Sequence, residues 1–198
     1  MKTTIKALTL ALCAVLLVVS TVFATLAYLT SKTEVVTNTF TVGNVTITLD
    51  EADVDVYGVK ESETRVTANT YKLLPGHTYV KDPTIHVVEG SEACYLFIKV
   101  TNAITAIEAK DNSVAAQLAA NGWTALDATK GIYYKAELVD ARTGAVDVAV
   151  FSTITVDGEA DVSGYTDKTI TVQAYAVQAD GFTSATAAWT SAPLDAWN

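Results

Sequence analysis

Histidine, cysteine and proline are scarce in this chain: two, two and three of them in 198 residues. Cys13 falls in an apolar leader, so beyond it Cys94 stands alone and no intramolecular disulfide can form. Stability therefore has to come from packing, for which the length suffices. In "EACYLFIKV", Cys94, Leu96, Ile98 and Val100 alternate onto one face, which makes Cys94 a small buried hydrophobe rather than a nucleophile. Two histidines leave little for catalysis. There is no HExxH pair and no GxSxG elbow, and a catalytic zinc ordinarily takes three protein ligands. No glycine-rich phosphate loop opens a helix. Basic charge is short as well, 13 residues against 22 acidic ones for a net −9, which argues against nucleic acid as a partner.

What the chain has instead is one long apolar run, Ala7 to Thr30, behind Lys2 and Lys6. About 20 apolar residues span a bilayer core, so length alone fits either an anchor or an export signal. The small residues of "VFATLA" favour cleavage between Ala27 and Tyr28, with Thr25 and Ala27 at the recognition positions and Ala24 as the alternative site. The two lysines hold the N-terminus inside, so the remainder is exported in either case. The expected organisation is a signal peptide over 1–27, an N-terminal segment over 28–40 and one domain over 41–198. Membrane contact is then confined to the precursor's leader. Loss of residues 1–27 removes two lysines and no acid, taking the net charge from −9 to −11.

After residue 40, apolar and polar residues alternate strictly, as in strands with one buried face. Val45, Ile47 and Leu49 form one set and Ala52, Val54 and Val56 the next; the phase slips at Asp50-Glu51, where a bulge or turn is expected. Ile132, Tyr134, Ala136 and Leu138 share a face, as do Val146, Val148 and Val150, and Ile170, Val172, Ala174 and Ala176. Gly-containing breaks such as "LLPGH", "VEGSE" and "ADGF" separate these runs, predicting an all-β, antiparallel β-sandwich. A short helix is predicted in "VAAQLAANG", capped by Asn112 or Ser113 and closed by Gly122, and a second helical turn in "TSATAAW". The acidic "LDEADVDVYGVKESET" reads as a mobile excursion. Tyr95, Phe97 and Tyr133 alternate opposite the apparent core face, as either a contact patch or a second packed face.

Taken together, "ATLAYLT", "NTFTVGNVTITL", "LLPGHTYVKDPTIHV" and "ITVQAYAVQADGF" resemble the TasA/camelysin family of exported Gram-positive proteins. The resemblance implies a jelly-roll-like sandwich and, for the TasA branch, a subunit of extracellular biofilm-matrix fibres. It also implies processing by a signal peptidase of the endoplasmic-reticulum type. In that branch the segment freed by cleavage enters the neighbouring subunit as a donor strand, here Tyr28 to Phe40, with Tyr28, Leu29, Val35 or Val36, and Phe40 as its apolar residues. Physically, such a strand gains main-chain hydrogen bonds along an open edge and burial at alternate positions. The other reading is that residues 34–42 form the first strand of the chain's own sheet.

Camelysin brings a peptidase label, so a cell-surface metalloendopeptidase is a rival expectation, with His77 and His86 its only imidazole ligands. Both read more simply as polar residues of a turn and a strand. No catalytic residue is assigned. A monomeric adhesin or carbohydrate-binding module is the other rival. No cofactor is expected, although Asp53 with Asp55, or Asp157, Glu159 and Asp161, could offer oxygen ligands to calcium outside the cell. The plain alternative for these acids is a solvated face that keeps an exported protein soluble.

Overall fold

The computed structural model describes residues 2–29 and 43–191, and of residues 19–29 only the backbone. Two compact units divide the chain, Met1–Thr41 and Val42–Asn198. In the first, α1 (Lys2–Leu29) is one continuous helix. Its apolar side chains from Ile5 to Val18 are exposed all round. Among the described residues no helix is long and apolar enough to cross a membrane. The backbone of Ala27, Tyr28 and Leu29 makes the last turn of α1, while their side chains, and Val35, Val36 and Phe40 entirely, lie outside the described residues.

The second unit holds ten strands: β1 (Ile47–Val54), β2 (Lys60–Val66), β3 (Thr78–Val80), β4 (Thr84–Val87), β5 (Cys94–Asn102), β6 (Trp123–Asp127), β7 (Ile132–Lys135), β8 (Val146–Ala149), β9 (Thr153–Thr155) and β10 (Ile170–Gln178). Every pairing between them is antiparallel. They form two four-stranded sheets, ordered β2-β1-β4-β8 and β10-β5-β7-β6, and a β3-β9 pair. The main core lies where the inward residues of the two larger sheets meet. Ile85 and Val87 of β4 and Leu96 and Ile98 of β5 are fully buried there, with Phe151 just beyond β8. Val45, Ile47 and Leu49, Val146 and Val148, and the predicted set on β10 pack against the same core. Burial pushes the Cys94 thiol up to about 11, as suits an inert core cysteine.

α2 (Val114–Ala120) is capped by Ser113, whose hydroxyl accepts the Ala116 N–H at 3.3 Å. Asn112, the other candidate cap, instead donates to the hydroxyls of Thr153 and Thr155. α3 (Ala185–Ser191) follows β10 and covers the opposite face of β5, burying Tyr95 and Phe97 with Trp189 5.0 Å from the Phe97 ring.

Four expectations are corrected. The acidic stretch is an ordered hairpin, β1-β2, closed by Asp55, whose Oδ1 accepts the N–H groups of Tyr57 and Val59 at 2.9 and 2.8 Å. The phase slip at Asp50-Glu51 is not a turn: residues 47–50 pair with β4 and 51–54 with β2, so the strand changes partner there, and the register irregularity falls between Ala52 and Val54. Tyr133 lies opposite Ile98 and faces the main core, whereas Tyr134 lies opposite Phe97, so the two tyrosines exchange faces relative to the prediction. Leu138 is 49 % exposed because the chain bends after Lys135 and ends the alternation; Val139 turns inward instead, bridging to Cys94.

Candidate functional site

β8 is the last strand of its sheet. Its pairing with β4 sets which backbone groups remain outward. Val150 N–H donates to Pro83 O at 2.9 Å, so by the alternation of antiparallel ladders Val146 and Val148 bond inward and Asp147 and Ala149 face the free edge. Ala149 O already accepts the Trp123 indole N–H at 3.1 Å. Among the described residues no strand pairs with that edge. Beside it runs an open groove of about 530 Å³, bounded by Val146, Val148 and Ala149 on one side and Lys135, Glu137 and Leu138 on the other.

A row of alternating charge crosses the outer face of the same sheet, one residue from each strand. Arg65 of β2 donates through Nε to Asp50 Oδ1 of β1. His86 of β4 donates through Nε2 to that same oxygen at 2.9 Å and through Nδ1 to Asp147 Oδ1 of β8 at 2.6 Å. Asp82, before β4, closes the far end, accepting Arg65 Nη1 at 3.2 Å and the Ala52 N–H at 2.6 Å. An imidazole with a carboxylate at each nitrogen donates from both only as the cation, so this setting favours the charged form. Burial works against that charge, but the hydrogen bonds to Asp50 and Asp147 outweigh it and hold the His86 pKa above its ordinary value. On Asp50 burial acts upward, and the bonds from Arg65 and His86 overcome it to leave the pKa lowered.

These shifts have opposite signs in pH. The His86 contribution is fully present below the unfolded histidine pKa and is lost as pH rises through the raised folded value. The Asp50 contribution is present above the unfolded aspartate pKa and is lost as pH falls through the lowered one. We expect the melting temperature to fall between about pH 6 and about pH 8, and His86→Gln to flatten that dependence. Thermal melts of both proteins across this range check it; parallel pH profiles would remove His86 as the cause.

The other candidates are dispersed. His77 Nε2 is bonded to Tyr57 O at 2.8 Å and its ring packs 4.6 Å from Tyr79, in contacts separate from those of His86. Asp157 and Asp161 each accept the backbone N–H two residues on, at 2.8 and 2.9 Å, stabilising their own turns. Among the described residues no group of three His, Cys, Asp or Glu side chains is placed to hold a metal ion. Compared with protein-family models, curated proteins and solved structures, the chain matches none.

The charged row went unread in the sequence. Alternation placed His86 opposite Ile85 and Val87, hence on the outer face, but its partners lie 36 and 61 positions away and only strand register brings them together.

Proposed function

We propose that this chain is an exported structural protein, the subunit of an extracellular matrix or cell-surface fibre similar to those of the TasA/camelysin family, and not an enzyme. Cleavage after Ala27 by a signal peptidase of the endoplasmic-reticulum type frees the segment from Tyr28 to Phe40. That segment adds as a strand to a neighbouring subunit. The observation that carries this reading is the free edge of β8, with outward backbone groups on Asp147 and Ala149 beside an open groove. A strand laid there pairs with the edge and sets alternate apolar residues, such as Val36 and Phe40, toward the groove.

Two features support the rest. The apolar side chains of α1 from Ile5 to Val18 are exposed, behind Lys2 and Lys6, as in a leader whose natural surroundings are lipid or a translocation channel. Chain crossings between the two larger sheets, at 87–94, 135–146 and, by way of β9, 149–170, suit a jelly roll. Cleavage then acts as the assembly switch, because an attached leader keeps the donor at the membrane.

A chain starting at Tyr28 is expected to form fibres, and one starting at Thr41 to remain monomeric. Electron microscopy of the two preparations, with N-terminal sequencing of the secreted protein, tests this; equal fibre formation by both would remove the donor strand from the account.

A further inference from the structure

Beside the β1-β2 hairpin lies a set of polar side chains that subunit assembly does not use. The Glu51 side chain on β1 is 6 % exposed and that of Lys81, just after β3, 11 %. Glu51 holds a different group on each carboxylate oxygen. Lys81 Nζ donates to Oε2 at 2.6 Å, and Asn69 Nδ2, from the loop after β2, donates to Oε1 at 3.0 Å. The Asn69 amide is oriented by two further bonds: Nδ2 donates to Ala52 O at 2.9 Å, and Oδ1 accepts the Val54 N–H at 3.2 Å. Tyr71 covers the group, its ring 5.9 Å from Lys81 Nζ and its hydroxyl donating to Val80 O at 3.1 Å. Burial, followed by the charge of Glu51, pushes the Tyr71 phenol above its ordinary pKa.

Each of these groups has a role in making an amide bond. An amine, a carboxamide and a carboxylate bonded to both are the nucleophile, the electrophile and the proton carrier of a transamidation. The Val54 N–H points at the one oxygen on which negative charge would develop. We propose that Lys81 and Asn69 become joined by an intramolecular amide cross-link, with Glu51 as the catalytic residue.

Within the 2.6 Å hydrogen bond, the Lys81 ammonium gives a proton to Glu51, leaving a neutral amine and a carboxylic acid. The flexible stem of Lys81 lets Nζ turn from Oε2 to the Cγ of Asn69. The Nζ lone pair forms the new C–N bond, and the carbonyl electron pair moves onto Oδ1, against the Val54 N–H. Glu51 delivers its proton to Nδ2 and takes one from Nζ in return. Collapse of the tetrahedral intermediate restores the carbonyl, breaks the Cγ–Nδ2 bond and releases ammonia. No oxidant, metal or cofactor is consumed. Glu51 is left as a neutral carboxylic acid, so a buried ion pair is exchanged for a neutral amide and a neutral acid as ammonia leaves, which relieves the desolvated charge.

Mass spectrometry of a tryptic digest of the folded full-length chain decides the matter. The expected species is Val66–Lys72 joined to Leu73–Lys99, uncut at Lys81 and lighter than the two peptides together by one ammonia, with fragment ions placing the link between Asn69 and Lys81. In Glu51→Gln and in Lys81→Arg the two segments are expected to separate, and Asn69→Asp, where it links, must lose water instead of ammonia. Wild-type peptides at full mass with normal cleavage at Lys81 overturn the proposal, as does ammonia loss confined to Val66–Lys72. A link that persists undiminished in Glu51→Gln overturns the role of Glu51. Because the wild-type digest is decisive by itself, failure of any variant to fold leaves the proposal open to refutation.

Discussion

Proline at position 149 is expected to abolish fibre formation while leaving the subunit folded. The reason lies in which way each backbone group of β8 points. Val150 N–H is committed to Pro83 O, so Val148 and Val146 serve the ladder with β4 and the Ala149 N–H faces outward. Ala149→Pro therefore removes one outward donor and puts a ring on the edge, without deleting a bond inside the sheet. Val148 is already extended, as a residue before proline prefers, and Ala149 is exposed. The Trp123 indole bond to Ala149 O survives the change. Destabilisation should stay at about 1 kcal/mol, the centre of the range for point substitutions, whereas strand addition loses both a hydrogen bond and close approach. Thermal melts paired with electron microscopy of the processed protein check the two halves separately. Unimpaired fibres would move the acceptor to another edge. β2 is a poor alternative because Lys60, Glu61 and Glu63 expose charge along it, a usual defence of edge strands.

Local rules reached as far as single strands and single caps. The period of two placed Val146, Val148 and Val150 and the inward set of β10 on the core side, and the need for a side-chain oxygen acceptor restricted the cap of α2 to two residues, of which Ser113 is the one that bonds. Beyond one strand those rules fail for a definable reason. Alternation says that two residues lie on opposite faces but not which face is dry, and β5 is dry on both: Leu96 and Ile98 face the main core, Tyr95 and Phe97 the cover of α3. The same ambiguity exchanged Tyr133 with Tyr134. Asp50 and Glu51 show a further limit. Their charge looked like solvent exposure and a loop, yet Asp50 anchors the row through Arg65 and His86, and Glu51 is buried against Lys81 and Asn69. Polar residues enter an interior when register supplies partners, and register is a property of two distant segments together.

Gly131→Ala is expected to cost about 3 kcal/mol or more, from strain and overpacking combined, the largest loss of stability we anticipate from adding a single methyl group. Gly131 closes the β6-β7 hairpin at φ +69°, where a side chain is strained whatever the space. Space is absent too, since a Cβ there would lie 2.1 Å from the backbone oxygen of Val100. Rotating a side chain cannot relieve that contact, because both sides of it are main chain. Moving the hairpin away would break the Val100 N–H bond to Gly131 O at 2.8 Å and the adjoining pairing of Ile132 with Lys99. The turn before it is held by Asp127, whose Oδ1 accepts the N–H groups of Thr129 and Lys130 at 3.0 and 3.2 Å, so the loop has little freedom to adapt. Ile132 lies in the smaller core with Phe97 and the helix that carries Trp189, so loosening should alter tryptophan emission as well as the denaturation midpoint. Chemical denaturation followed by fluorescence measures both. A midpoint equal to wild type would mean that β7 does not dock on β5 through this glycine.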